Sequence, residues 1–297
     1  MLVLVVVNKY SRSGDKNNID YIIKRLKEKY NIVSLFVATK EYTIASYIKS
    51  YGKAYNLICV VGGDGTIHEV VNSVMSLNHK PIIALIPTGT CNDIAHTLGI
   101  PRKLDKAIDI ILEEYLVELS IYKMNDTYFI YGLAGGLLSE VSYLAKKEDK
   151  IKYGKLAYYL EALKNINRIK PIRAKIDNIV EDYSFLLCLN SHYLAGFKIK
   201  YKNKRYLNDN NMKLILIKKS NRLMELFDLG CFFILGEYYK HNTTIDIVSK
   251  LKIEALNQIS LNADGEAIGK AKSLDISTLD NTIMFVVNKK FKNKIIK

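Results

Sequence analysis

Gly62-Gly63-Asp64-Gly65-Thr66 sets the tightest limit on what this chain can become. It follows the apolar run Leu57-Ile58-Cys59-Val60-Val61 and opens a helical pattern carried by Ile67, Val70, Val71, Val74 and Met75. A strand that passes through a glycine turn into a helix is a layout that holds a phosphate. Glycine lets the backbone approach an anion and take φ > 0. The helix N-terminus offers unpaired N–H groups and a partial positive charge. An ordinary βα turn also uses glycine, but three glycines around an aspartate in five residues exceed what a turn requires.

The surrounding pattern extends that reading. Strand-like runs at Met1–Val7, Ile32–Ala38, Leu57–Val61 and Ile82–Ile86 alternate with helical periodicities. The helices are expected over Ile19–Tyr30, Ile44–Tyr51, Ile67–Leu77, Asn92–Leu98 and Leu104–Glu114. Short runs rich in Val and Ile suit parallel strands covered on both faces. In such sheets ligands sit beyond the carboxyl ends of strands. The polar loops 8–14, 62–66 and 87–93 all meet that description.

After about residue 121 the pattern changes. Tyr128–Tyr131, Phe185–Asn190, Lys213–Lys218, Ile245–Val248, Leu251–Ala255, Ile259–Asn262 and Ser273–Thr278 read as strands. One long helical stretch, Leu137–Asn167, interrupts them, and Ile283–Val287 reads as a last strand before a basic tail. The fold expected is therefore a Rossmann-like α/β domain over 1–121, rejoined by 283–297. A mainly antiparallel β-sandwich fills 122–282.

Composition narrows the partners. The 297 residues carry 44 Lys and Arg against 30 Asp and Glu, a net charge of +14, so an anionic partner fits. Lysine is abundant throughout, so the charge supports this conclusion without deciding it. Four scattered cysteines with no CxxC spacing point to a reduced, cytoplasmic protein without disulfides or a zinc cluster. Met1–Val7 is short, has no basic region before it and reads as a buried strand, not a leader. The apolar patch Leu229–Leu235 falls far below the ~20 residues a membrane span needs.

Three further motifs join the glycine turn: Asn8 to Gly14, Pro87-Thr88-Gly89-Thr90-Cys91-Asn92-Asp93, and Ala263-Asp264-Gly265-Glu266. With Gly62 to Asn72 they resemble, in order and spacing, the motifs of the diacylglycerol kinase catalytic-domain family. That family includes bacterial lipid kinases and the sphingosine and ceramide kinases. The resemblance covers nearly the whole chain and implies transfer of the γ-phosphate of ATP, with Mg2+, to a lipid hydroxyl, with diacylglycerol as the expected acceptor. It implies nucleotide contacts from Asn8, Ser11, Ser13 and Gly14 and from Thr39. Further contacts would come from Gly62, Gly63, Asp64, Gly65, Thr66, His68 and Glu69, and from Thr88, Gly89, Thr90, Asn92 and Asp93.

Phosphoryl transfer needs positioning, charge neutralisation and a base for the attacking hydroxyl. Asp64 suits Mg2+ or the start of a helix. Asp264 and Glu266 are the candidate bases, and the spacing alone does not choose between them. By the same resemblance Tyr206, Asp209 and Asn211 would hold a structural Mg2+, through the Asp209 carboxylate and nearby backbone carbonyls. Asn210 stands where the family often has glycine, and asparagine tolerates the left-handed turn. His68, Ser73, Phe197 and Lys9 depart from the family pattern and bear on the choice of lipid more than on the fold.

Lys198, Lys200, Lys202 and Lys204 alternate with other residues. At strand spacing they would share one face, as a guarded sheet edge or a surface for anionic lipid. Leu137–Leu163, with its Tyr-rich stretch Tyr153–Tyr159, is a candidate wall of a lipid cleft. The expected partners are a lipid substrate at the membrane surface, an anionic membrane in peripheral contact and a second copy as a homodimer. No nucleic acid is expected, for no such motif accompanies the charge. The alternatives are an NAD kinase-like phosphotransferase, which shares the glycine turn, and a silent nucleotide- or membrane-binding pseudokinase.

Overall fold

The computed structural model describes residues 1–8, 15–136, 139, 171–176, 178–204 and 206–296. They fall into two units, one of Met1–Ile121, Tyr206–Asp209 and Asp280–Lys297, the other of Tyr122–Arg205 and Asn210–Leu279. Labels below number the described elements in chain order.

The first unit alternates β1 (Leu2–Asn8), α1 (Lys16–Leu26), β2 (Ile32–Ala38), α2 (Ile44–Tyr51), β3 (Leu57–Gly62), α3 (Asp64–Val74) and β4 (Ile82–Pro87). Two further helices follow, α4 (Asp93–Thr97) and α5 (Leu104–Glu113). All four strands are parallel, in the order β2-β1-β3-β4. β3 is buried at every residue, and β1 and β4 at all but their ends, because helices cover both faces. α1 and α2 each start where a short polar side chain replaces the missing partner of a first-turn amide. The Asp15 carboxylate accepts from Asn17 N at 3.1 Å, and the Thr43 hydroxyl accepts from Ser46 N at 3.2 Å. Burial pushes the thiol of Cys59, in the middle of β3, up to about 12, so it packs as a small hydrophobe.

The second unit takes its strands from β5 (Leu116–Met124), β6 (Thr127–Phe129), β7 (Gly132–Gly136), β8 (Ile172–Ile176) and β9 (Ile179–Leu189). A small hairpin follows, β10 (Tyr193–Leu194) with β11 (Phe197–Lys198). Then come β12 (Met212–Lys218), α6 (Arg222–Leu235), β13 (Thr243–Val248), β14 (Lys250–Ala263) and β15 (Glu266–Val286), and the chain closes with α7 (Lys289–Ile295) in the first unit. β5 and β15 each run from one unit into the other. Pairing runs β13-β12-β9, then through β7 and β8 to β14 and on to β15, with every registered pair antiparallel. Alternate residues of these strands close on one core that includes Tyr122, Phe129, Leu186, Leu214, Ile253 and Leu274.

Four expectations need correction. The runs Leu251–Ala255 and Ile259–Asn262 are one strand, β14, whose pairing with β15 shifts register between Glu254 and Ile259. A helix, α6, stands where only an apolar patch was read. It is required because Phe185, Leu187, Leu189, Ile215 and Ile217 point away from the main core and are covered by Leu229, Phe232 and Phe233. Residues 199–204 are not a strand: β11 ends at Lys198, and the Lys200 carbonyl instead accepts from Glu237 N at 2.9 Å. Tyr206–Asp209 belongs to the first unit, not to a continuous 122–282. Leu207 accounts for it, donating to the Ile295 carbonyl at 2.7 Å and accepting from Ser120 N at 3.0 Å. The basic tail is also ordered as α7, capped by the Asn288 side chain, which accepts from Lys290 N at 3.0 Å. Leu137–Asn167, including Tyr153–Tyr159, lies outside the described residues except Ser139.

Candidate active site

The parallel register brings four strand ends to one edge of the first unit. Asn8 pairs with Ala38, Val7 with Val61 and Gly62 with Pro87. The residues that follow each strand, Thr39 after β2, Gly63 after β3 and Thr88 after β4, therefore share that edge with Asn8. The order β2-β1-β3 reverses direction between β1 and β3, the switch point at which doubly wound sheets bind ligands. Ser11, Ser13 and Gly14 lie outside the described residues.

The glycines of the central turn act by closeness, not by unusual dihedrals. None of Gly62, Gly63 and Gly65 has a positive φ, contrary to the sequence expectation. A Cβ on Gly63 would stand 2.9 Å from the Gly89 Cα, and one on Gly89 would stand 2.6 Å from the Gly63 Cα. Real Cβ atoms do not approach that near, so two loops 26 residues apart in sequence meet through bare backbone. A Cβ on Gly62 would fall 2.6 Å from the Thr66 Cβ, which explains why Thr66 can fold back, buried, over the strand end. α3 begins at Asp64 with Gly63 as its N-cap, so no cap side chain occupies its first amides.

The second loop is braced from within. Asn92 is fully buried and left-handed, at φ 56°. Its Oδ1 accepts from Gly89 N at 2.8 Å and its Nδ2 donates to the Gly89 carbonyl at 2.8 Å. Asn92 thus shapes the loop that presents Thr88 to Thr90. Thr88 N donates to the Gly62 carbonyl at 3.0 Å. Asp64 Oδ1 lies 3.4 Å from Ile94 N at the start of α4, a long contact between the two motifs. Asp93 is buried at the start of that helix. Arg102, which sequence reasoning missed, donates from its guanidinium to the Thr90 carbonyl.

Glu69 and Thr39, also proposed nucleotide contacts, have protein partners. Glu69 Oε1 accepts from Ala45 N at 3.3 Å, in the first turn of α2. The Thr39 hydroxyl accepts from Tyr42 N at 3.1 Å, closing the turn after β2. His68 meets Asn72, whose Nδ2 donates to its carbonyl at 2.9 Å. Ser73 donates to the Glu69 carbonyl at 2.7 Å, so a hydroxyl fills the place where the motif usually has no side chain.

In the second unit, Asp264 and Glu266 frame the turn from β14 to β15. Asp264 (φ 51°) and Gly265 (φ 88°) are both left-handed, as a two-residue hairpin of this hand requires. The Asp264 carboxylate is buried and accepts from the backbone N–H of Tyr131 at 2.9 Å and Ile130 at 2.9 Å, with Gly132 at 3.2 Å. Glu266, two residues on, is exposed. Of the proposed metal residues, Tyr206 and Asp209 belong to the first unit and Asn211 to the second. Asn210 is left-handed at φ 56°. The Asn211 carbonyl accepts from the Tyr122 hydroxyl at 2.9 Å. Among the described residues no group of three or more His, Cys, Asp or Glu could hold a metal.

Residues 2–124 match the diacylglycerol kinase catalytic domain. A protein named diacylglycerol kinase in Staphylococcus haemolyticus is 35% identical over 222 residues, 73% of this chain and 66% of that protein. Its namesake in Staphylococcus epidermidis is 35% identical over 221 residues, 73% of this chain and 69% of that protein. The chain belongs to the diacylglycerol kinase family. The aligned stretch spans about two thirds of each of these relatives. The family is one of kinases whose acceptor is an alcohol group. The fold agrees with it: a crystal structure of a diacylglycerol kinase from Bacillus anthracis superposes with a TM-score of 0.78 at 23% identity, covering 98% of both chains. An NAD kinase from Archaeoglobus fulgidus in complex with ATP shares the fold more loosely, with a TM-score of 0.53 at 15% identity over 98% of this chain and 95% of that one. An α/β nucleotide-binding unit followed by a β-rich unit is thus the architecture of this diacylglycerol kinase family member.

Proposed function

We propose that the chain transfers the γ-phosphate of ATP to the hydroxyl of a membrane lipid, with diacylglycerol as the acceptor and phosphatidic acid as the product. The observation that carries this reading is the bare-backbone contact of Gly63 with Gly89 at the carboxyl edge of the parallel sheet. It leaves the first turn of α3 without a cap side chain, in a space any Cβ would fill. Such a cradle suits a phosphate chain, which needs N–H donors at close range and a helix N-terminus. Thr66 and Thr90 would add hydroxyl donors, and Thr39 and Asn8 would border the nucleotide. Ser11, Ser13 and Gly14 would complete the first loop.

Mg2+ bound with the nucleotide would neutralise charge on the phosphates, and Asp64 is the carboxylate at hand. It fits as a hydrated ion held by one carboxylate and the phosphates, not by a protein cage. Asp209, with the carbonyl of Tyr206 in the same unit, would offer a second, structural position. Asp264 and Glu266 divide the work on the acceptor. Asp264, buried on three backbone amides, fixes the turn. Glu266, exposed beside it, is the carboxylate that a lipid hydroxyl reaches without dismantling that turn, and we assign it the base. The protein would act at the cytoplasmic face of the membrane. No helix among the described residues is long and apolar enough to cross one.

The test is to incubate the protein with γ-labelled ATP, Mg2+ and either diacylglycerol, total extracted membrane lipid or NAD. Label in diacylglycerol alone supports the full proposal, and label in another lipid corrects the acceptor. Label in NAD, or ATP binding with no transfer, overturns it. Glu266→Gln should abolish transfer and keep the melting temperature, whereas Asp264→Asn should lower both.

A further inference from the structure

We propose that the outward face of α6, together with the lysine segment beside its C-terminal end, is a docking surface for an anionic lipid bilayer. The inward face of α6 is committed to the core through Leu229, Phe232 and Phe233. The outward face is apolar as well. Leu223 is 80% exposed, Phe227 60% and Ile234 65%, and Leu235 and Tyr238 continue the ridge. The spacing 223, 227, 234 keeps these side chains on one stripe, and Gly230 between them has nothing within 4 Å of a would-be Cβ. Single exposed hydrophobics are ordinary on a protein surface, but a contiguous ridge marks an interaction site.

Charge selects the occupant. The carboxylates on and next to this helix are turned inward and paired. Glu225 pairs with Arg222 at 2.9 Å, Asp228 with His241 at 2.8 Å, and Glu237 with Lys213 at 2.8 Å. Lys198, Lys200, Lys202 and Lys204 are exposed. Their segment is tied to the helix end: Glu237 N donates to the Lys200 carbonyl at 2.9 Å, and Lys202 Nζ lies 5.8 Å from the centre of the Tyr238 ring. Among the described residues, the carboxylates of this helix face inward, and its outward apolar ridge lies beside exposed lysines. Protein–protein interfaces are depleted in lysine. An anionic bilayer takes both parts, the ridge among the acyl chains and the lysines on the headgroups.

This surface rests on the lipid-kinase reading for its purpose, but bilayer binding needs no catalysis and is measured apart from it. The full-length protein, without nucleotide, is floated with vesicles of phosphatidylcholine alone or mixed equally with phosphatidylglycerol. Wild type should bind the anionic vesicles and release the neutral ones. Leu223→Gln/Phe227→Gln/Ile234→Gln should bind at least about tenfold more weakly. The four Lys→Glu changes should weaken binding at least about 100-fold, since each lysine near such a surface contributes about fivefold. All these side chains are exposed, so circular dichroism should be unchanged. The chain has no tryptophan, so Phe227→Trp gives a single indole reporter. Its emission should shift to the blue on anionic vesicles and be quenched by brominated acyl chains. Unchanged binding by the triple variant or an unshifted indole would overturn the proposal. So would a wild-type dimer that the triple variant converts to monomer, which would assign the ridge to a second copy. Flotation without phosphorylation of any lipid would leave the docking surface standing and reject the kinase reading.

Discussion

Gly63 and Gly89 bring two loops together through bare backbone, the feature on which the proposed phosphate cradle rests. Alanine at 89 would meet both the Gly63 Cα at 2.6 Å and the Asn92 Oδ1 at 2.8 Å, while alanine at 63 meets only Gly89 closely. We expect Gly89→Ala to cost more than Gly63→Ala, each in the range of about 1–3 kcal/mol by thermal melting, with catalytic efficiency down at least tenfold. That these positions must be glycine was legible in the sequence, but the reason was not. The approach depends on a partner 26 residues away, which no local pattern encodes. Glu69 and Asn92 were legible as motif members, but not that their side chains brace α2 and their own loop. Glu114 offers a second residue-scale test. Burial works against its charge, but hydrogen bonds from Lys29 and the Tyr30 hydroxyl, together with the Lys29 charge, hold its carboxyl below the usual 4.5. A carboxyl lowered on folding stabilises above its unfolded value and loses that contribution as pH falls through its folded value. Glu114→Gln should therefore cost less than about 1 kcal/mol at pH 7, since the pair is partly exposed. The difference from wild type should vanish in urea melts as pH drops below 4.5.

At the scale of elements, periodicity located most strands, β12 among them, but cut β9 short at its start and missed the helix that covers both. β1, β3 and β4 are uniformly apolar and were placed within a residue or two. β9 and β12 are apolar on both parities as well, and that pattern demanded a second cover, which α6 supplies. α6 itself is apolar nearly all round, so no stripe announced it. The lysines at 198–204 imitate a strand, but Ile199 is drawn into the core and the next residues close against Gly236. Gly230 is the weak point of α6: it has helical neighbours and open space where a Cβ would go. Gly230→Ala should raise stability by about 0.5–1 kcal/mol, measured by chemical denaturation.

At the scale of the whole molecule, the first unit is assembled from three separate stretches. Its last stretch supplies Phe285, paired with Ile83 of β4, and Val287, whose amide donates to the Tyr115 carbonyl at 2.8 Å. Deleting residues from 280 onward should therefore strip the first unit of its closing strand. We expect that protein to lose the far-ultraviolet signature of a folded α/β unit and to be cut by protease within 1–121 first. The family match ends at residue 124, but the unit does not. Sequence could suggest the return of the chain because Ile283–Val287 reads as one more parallel strand. It could not show Leu207 joining the same unit through two backbone bonds. The split layout has a consequence during synthesis. Residues 280–297 leave the ribosome after the entire second unit, so the sheet edge of β4 stays unpaired through most of translation. A chain interrupted between residues 121 and 280 carries all three of the proposed amino-terminal phosphate loops and still lacks the strand that closes their sheet. Prematurely terminated copies should thus be unable to sequester nucleotide, and their open strand edge marks them for chaperones or proteases.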